Sequence, residues 1–116
     1  MQMKRFKYAF KGIFFAFKTQ ANIRIHTLVS VLVISAGFVF KINPLEWVLI
    51  IFAIGLVLSA ELFNTAIESL VDLVSPAYNE KAGLIKDVAA GAVLIAAAVS
   101  VITGVIVFLP KIIEII

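Results

Sequence analysis

No cysteine occurs in the 116 residues. That excludes a disulfide framework, thiolate metal sites and cysteine catalysis, and says nothing of redox compartment. Charge is scarce too: Asp, Glu, Lys and Arg make up 15% of the chain, against about 25% in a soluble domain. A domain this small has a high surface-to-volume ratio and needs many polar residues to cover its outside. With so few, a water-soluble monomer is close to excluded. Neither G-x-x-x-x-G-K-[ST] nor G-x-G-x-x-G is present, so nucleotide binding through a glycine-rich loop is unsupported. Histidine occurs once, as His26. The serines and threonines lack a histidine partner in any recognisable arrangement, which leaves a nucleophilic triad without support. There is no internal repeat and no low-complexity segment.

What the chain does have is apolar surface. Hydrophobic residues reach 63% and the mean hydropathy is +1.14, so its natural solvent is lipid. Three apolar runs stand out: Thr27–Ile42, Leu45–Ala60 behind Pro44, and Val88–Leu109. At 1.5 Å per residue the first two cover roughly 24 Å and the third roughly 33 Å, against a hydrocarbon core of about 30 Å. The first two therefore borrow neighbours such as Ile23 and Ile25 to cross. A cleaved signal peptide is disfavoured, because the basic segment ahead of the first run is long and amphipathic and no convincing A-x-A site follows. Ahead of the runs, residues 4–18 place Phe6, Phe10, Ile13 and Phe17 at helical spacing, with Lys4, Lys7, Lys11 and Lys18 largely off that stripe. Such a helix lies on a membrane surface, with its aromatic side in the acyl boundary and its lysines toward anionic headgroups. The expected fold is an all-α membrane protein forming one domain over 1–116. It has three transmembrane helices plus an N-terminal amphipathic surface helix.

The pI of 9.4 does not argue for nucleic acid, since the basic residues gather at one end. Lys4, Arg5, Lys7, Lys11, Lys18 and Arg24 precede the first run, and Lys81 and Lys86 lie between the second and third. With the N-terminus inside, eight of the ten positive charges are cytoplasmic. This predicts a multi-pass protein of the cytoplasmic (inner) membrane, with the segment 61–87 facing the cytosol. The third run carries Ala92, Ala96, Ser100 and Gly104 at four-residue spacing. That small-residue ridge predicts close helix contact, within or between chains.

The most informative stretch runs straight on from the second span: Glu61-Leu-Phe-Asn-Thr-Ala-Ile-Glu-Ser-Leu-Val-Asp72, with no breaker before Pro76. A helix continued to about residue 74 puts Glu61, Asn64, Glu68 and Asp72 within an arc of about 80°. If hydrocarbon begins near Leu45, Glu61 lies roughly 24 Å along the axis and Glu68 roughly 10 Å further, in headgroups or water. Ionisable groups at membrane depth are costly and usually face protein or a wet cavity. A carboxylate of raised pKa followed by a wetter, cation-binding one suits proton abstraction beside a metal. Lys86-Asp87 stands just before the third span, where Lys can hold phosphate and Asp can orient it or bind nucleotide. From spacing alone, an active site and a structural polar seam are equally good readings of the stripe, and Lys86 and Asp87 also read as ordinary flanking charges. His26, at the mouth of the first span, reads as a packing or hydrogen-bonding residue in preference to a catalytic one.

These residues resemble the small prokaryotic diacylglycerol kinase family, which includes the undecaprenol kinases. The likeness rests on Glu61–Asp72, on Lys86-Asp-Val-Ala-Ala-Gly-Ala-Val, on Tyr8-Ala-Phe-Lys-Gly and on Asn22-Ile-Arg-Ile-His26, and it extends over nearly the whole chain. It favours the active-site reading. The resemblance implies homotrimers that transfer the γ-phosphoryl of ATP to a lipid hydroxyl with Mg²⁺ as cofactor. It implies Glu61 as general base for the bound lipid, Asn64 as its polar partner, and Glu68 as a metal and nucleotide ligand. Lys86 and Asp87 match nucleotide contacts; Tyr8, Ala77, Tyr78 and Asn79 correspond to further ones, and Ala90 to a lipid contact. In one place the chain departs from the pattern. Gln20 stands where members commonly carry a metal-binding Glu, and its amide oxygen can ligate Mg²⁺ without the charge. The expected acceptor is undecaprenol or diacylglycerol, with a lean to undecaprenol from Asn22–His26 and the Phe108-Leu-Pro-Lys tail. The competing readings are a non-catalytic membrane subunit and a small ion or proton conductor whose polar helix face is structural.

Overall fold

The computed structural model describes residues 2–116. Four helices follow in order: α1 (Gln2–Thr19), α2 (Ala21–Val39), α3 (Pro44–Val74) and α4 (Glu80–Ile115), with no strand among the described residues. Three of them, α2, α3 and α4, are long and apolar enough to cross a membrane. The chain is thus an all-α membrane protein with a shorter N-terminal helix, as its composition requires. α2 starts before the first apolar run and takes in Ile23 and Ile25. α3 continues past Ala60 without a break, and α4 begins in the polar segment ahead of Val88 and runs through Pro110.

The helices form a flat slab of 54 × 38 × 20 Å. α3 is its centre, packed mainly on α4 and also on α2, while α1 leans on α2 and α3 and does not reach α4. Within the span-length windows only 11–17% of residues are buried. One copy of this chain cannot hide its own apolar surface, so lipid or further copies must cover it. Hydroxyls inside the apolar helices are satisfied locally. Thr27, Ser30 and Ser35 donate to the carbonyls of Ile23, His26 and Val31, one turn back, as a medium without water demands. The small-residue ridge packs α4 on α3 through its middle: Ala96 is buried, and Ser100 Oγ donates to the Ala53 carbonyl at 3.1 Å.

The turn between α2 and α3 is tightly finished. The N–H of Ile42 reaches the Gly37 carbonyl and that of Lys41 reaches Phe38, with Lys41 at φ 52°. This is a Schellman closure with a lysine in the left-handed position usually given to glycine. Asn43 then caps α3: its Oδ1 accepts from the Glu46 N–H at 2.9 Å, and Glu46 Oε1 accepts from the Asn43 N–H at 3.0 Å. Glu46 Oε2 also accepts from Lys111 Nζ at 2.8 Å, tying α4 to the start of α3. Beneath this cap Ile42, Ile50 and Val107 form a buried cluster flanked by Trp47, Phe40 and Phe108. Glycine is required at 37, where a Cβ would stand 2.6 Å from the Trp47 ring.

Candidate active site at the far end of α3

Beyond Ala60 the same helix becomes polar, and its stripe passes from interior to surface. Glu61 is 2% exposed and Asn64 9%; Glu68 is half-buried and Asp72 exposed. One uninterrupted helix creates this gradient, because residues at i, i+3, i+7 and i+11 keep one face while the axis climbs away from the packed core.

Each polar group on the stripe has a different partner. Glu61 Oε1 lies 3.2 Å from His26 Nε2 of α2. Asn64 Nδ2 donates to Glu68 Oε1 at 2.8 Å, and the Asn64 Oδ1 acceptor is buried without a partner among the described residues. Thr65 Oγ1 donates to the Glu61 carbonyl at 2.9 Å, using up that backbone acceptor. Asp72 pairs with Lys86 of α4. Asn79 caps α4, its Oδ1 accepting from the N–H groups of Lys81 and Ala82. Tyr78 is almost wholly exposed, and the Ala77 carbonyl accepts from Ser75 Oγ. With Asp87, the 78–84 stretch lines an open depression of about 890 Å³.

α1 closes the site from the other side. Tyr8 and Ala16 face Leu62, Thr65 and Ala66 of α3 across a shallow groove. The corner between α1 and α2 is held by Arg24, whose Nη1 donates to the Phe17 and Lys18 carbonyls at 2.9 Å each. Gln20 sits in that corner, half-buried and extended (φ −116°, ψ 113°), with its side chain free of any capping bond. Ala90 is exposed on α4, next to buried Ala89.

The family model for prokaryotic diacylglycerol kinase matches residues 7–108. The chain belongs to the prokaryotic diacylglycerol kinase family. Among relatives, an undecaprenol kinase of Bacillus subtilis is 40% identical over 93% of this chain and 88% of its own length. A diacylglycerol kinase of Synechocystis is 44% identical over 94% of this chain; the match spans 63% of that longer protein. A diacylglycerol kinase of Escherichia coli is 34% identical over 83% of this chain and 79% of its own.

Within this diacylglycerol kinase family member, the stripe residues come together in two groups, Glu61–His26 and Asn64–Glu68, while Lys86 meets Asp72. No three His, Asp or Glu side chains converge on a metal-sized point among the described residues. His26 is the residue that sequence reasoning left outside the site. Its contact joins positions 35 apart on different helices, which no local spacing encodes. One signal did exist: Ile23, His26, Ser30, Val33 and Gly37 repeat at helical intervals, and all five are at least half-buried, so His26 belongs to the inward face of α2.

Proposed function

We propose that this membrane kinase transfers the γ-phosphoryl of ATP to the hydroxyl of a membrane lipid, with Glu61 as general base. The observation that carries the reading is the buried Glu61 carboxylate, held at the end of a span-length apolar helix where a hydroxyl on a membrane-bound tail arrives. Glu61 takes the hydroxyl proton as the lipid oxygen bonds to the γ-phosphorus. The bond from that phosphorus to the β–γ bridging oxygen breaks, and ADP leaves with its electron pair. Asn64, with a buried Oδ1 still open, accepts a hydrogen bond from a donor on the bound substrates. An apolar cavity of about 350 Å³ between α2, α3 and α4, walled by His26, Val57 and Ser100, gives room for hydrocarbon along the span that leads to His26.

The donors at this end suit Mg²⁺. They are oxygens only, and Mg²⁺ is usually held by one or two carboxylates together with substrate phosphates, so three converging acids are not required. Glu68 has one oxygen on Asn64 and the other available, and Gln20 would add an amide oxygen. When bound, the metal would neutralise charge building on the transferred phosphoryl. Lys86 would exchange Asp72 for a phosphate oxygen, and Asp87, Tyr8 and the 77–79 turn would hold the nucleotide. The working assembly is the homotrimer that the family resemblance implies, a reading in keeping with the apolar surface that a single copy leaves uncovered. The lysine and arginine distribution puts it in the cytoplasmic membrane with the 61–87 segment facing the cytosol. Undecaprenol is the favoured acceptor and diacylglycerol the alternative.

The test is purified protein in mixed micelles with Mg²⁺, γ-labelled ATP, and either undecaprenol or diacylglycerol. Label in a lipid supports the reading, and the ratio names the acceptor; label in neither, from an assembled oligomer, refutes it.

A further inference from the structure

We infer that His26 is the positioning residue for Glu61: its ring, with Nε2 3.2 Å from Oε1, fixes one carboxylate oxygen and so aims the other at the lipid hydroxyl. This rests on the base role proposed for Glu61. The contact is 3.2 Å, between side chains 28% and 3% exposed, so the carboxylate is desolvated while the imidazole keeps an edge toward the outside. A carboxylate this deep is strongly disfavoured as an anion unless something hydrogen-bonds or pairs with it.

Among the described residues nothing else does so. On α3, Glu68 is engaged with Asn64, and the Thr65 hydroxyl goes to the Glu61 backbone carbonyl and not to its carboxylate. On α2, Arg24 is spent on the α1 carbonyls. On α4, Lys86 is paired with Asp72, and Asp87 lines the depression at the start of that helix. From α1, Tyr8 borders the groove over Leu62 and Thr65, Lys18 lies over the Phe14 ring, and Lys4, Arg5, Lys7 and Lys11 are exposed.

The carboxylate thus has a single polar side-chain neighbour among the described residues, the His26 ring. The logic is that of a base fixed by a third group, here with the acid as base and the imidazole as its holder. His26 also walls the apolar cavity between α2, α3 and α4. One ring therefore touches both the base and that cavity, and can set where the hydroxyl stops.

The experiment compares His26→Leu, His26→Gln and Glu61→Gln as assembled protein in micelles, with turnover measured across pH. Removing the ring frees the carboxylate to turn. His26→Leu should therefore lower kcat by roughly 10- to 100-fold, the usual loss when a group orienting a reactive ligand is deleted, and displace the acid limb of the kcat profile. The KM for ATP should not follow. His26→Gln, whose amide N–H can donate from nearly the same place, should recover most of the turnover and return the acid limb toward the wild-type position. Wild-type kcat and pH profile in His26→Leu would overturn the inference while leaving Glu61 as base. Equal losses in the Leu and Gln variants with an unmoved acid limb would also overturn it, reducing His26 to packing. Substantial turnover in Glu61→Gln would instead overturn the base role, and the inference with it.

Discussion

Where α3 begins, each polar side chain meets a partner in the same chain: Asn43 caps the helix, Glu46 answers it, and Lys111 takes the remaining carboxylate oxygen. Where α3 becomes polar, from Glu61 onward, the accounts stay open. Among the described residues, Asn64 Oδ1 is buried without a donor, Glu61 is desolvated against a single imidazole, and Gln20 sits in a corner with no capping bond from its amide. Both ends carry acids and amides, so composition does not separate them. Closure does. A helix end whose groups satisfy one another only holds the fold together, whereas a buried acceptor left over is one that a ligand's donor can satisfy.

The sharpest way to break this contrast is at Glu61. Glu61→Gln keeps size and polarity and removes the base, so transfer should fall by roughly 10²- to 10⁴-fold while gel filtration and thermal unfolding stay near wild type. Near-normal turnover would make the stripe a structural seam after all. At the closed end the pattern should invert. Gly37→Ala drives a methyl to 2.6 Å from the Trp47 ring, and such overpacking costs about 1–3 kcal/mol. It should lower the unfolding temperature in micelles, with specific activity of the surviving protein little changed. Lys111→Met removes the α4 tie to Glu46 and should give a smaller loss of thermal stability than Gly37→Ala, again with turnover intact; a kinetic effect there would mean the two ends are coupled. The smallest effect is expected from Gln20→Glu. Restoring a charge to the corner should lower the Mg²⁺ concentration for half-maximal activity, and an unmoved Mg²⁺ titration would remove Gln20 from the ligand set.

Much of the fold was legible in residue order. Hydrophobic runs of span length can only become helices in lipid, because each backbone N–H and C=O must be satisfied within its own segment. The continuation of α3 through Glu61–Asp72 was legible too, since no breaker stands before Pro76 and helical spacing aligns the four polar residues. Length along the axis predicted only depth in the membrane; that Glu61 is buried and Asp72 exposed depends on the helices packed against α3. Less visible were the pairings. Asp72 and Glu68 share one face of the helix, yet Asp72 meets Lys86 of α4 and Glu68 meets Asn64 on its own helix. Asn79, matched by resemblance to a nucleotide position, also caps α4, a local role its place before a helix could have suggested.

By itself, then, the sequence determined the solvent, the number of long apolar helices, and the face on which the acids stand, because these depend on periodicities and lengths within single segments. Only the tertiary structure decided that His26 meets Glu61, that Ser100 reaches Ala53, and that Asn64 Oδ1 has no partner among the described residues. Those outcomes depend on how α2 and α4 lie against α3. That geometry is set by the fit of Ala96, Gly37 and Trp47 across helices, and the order of residues along one helix does not contain it.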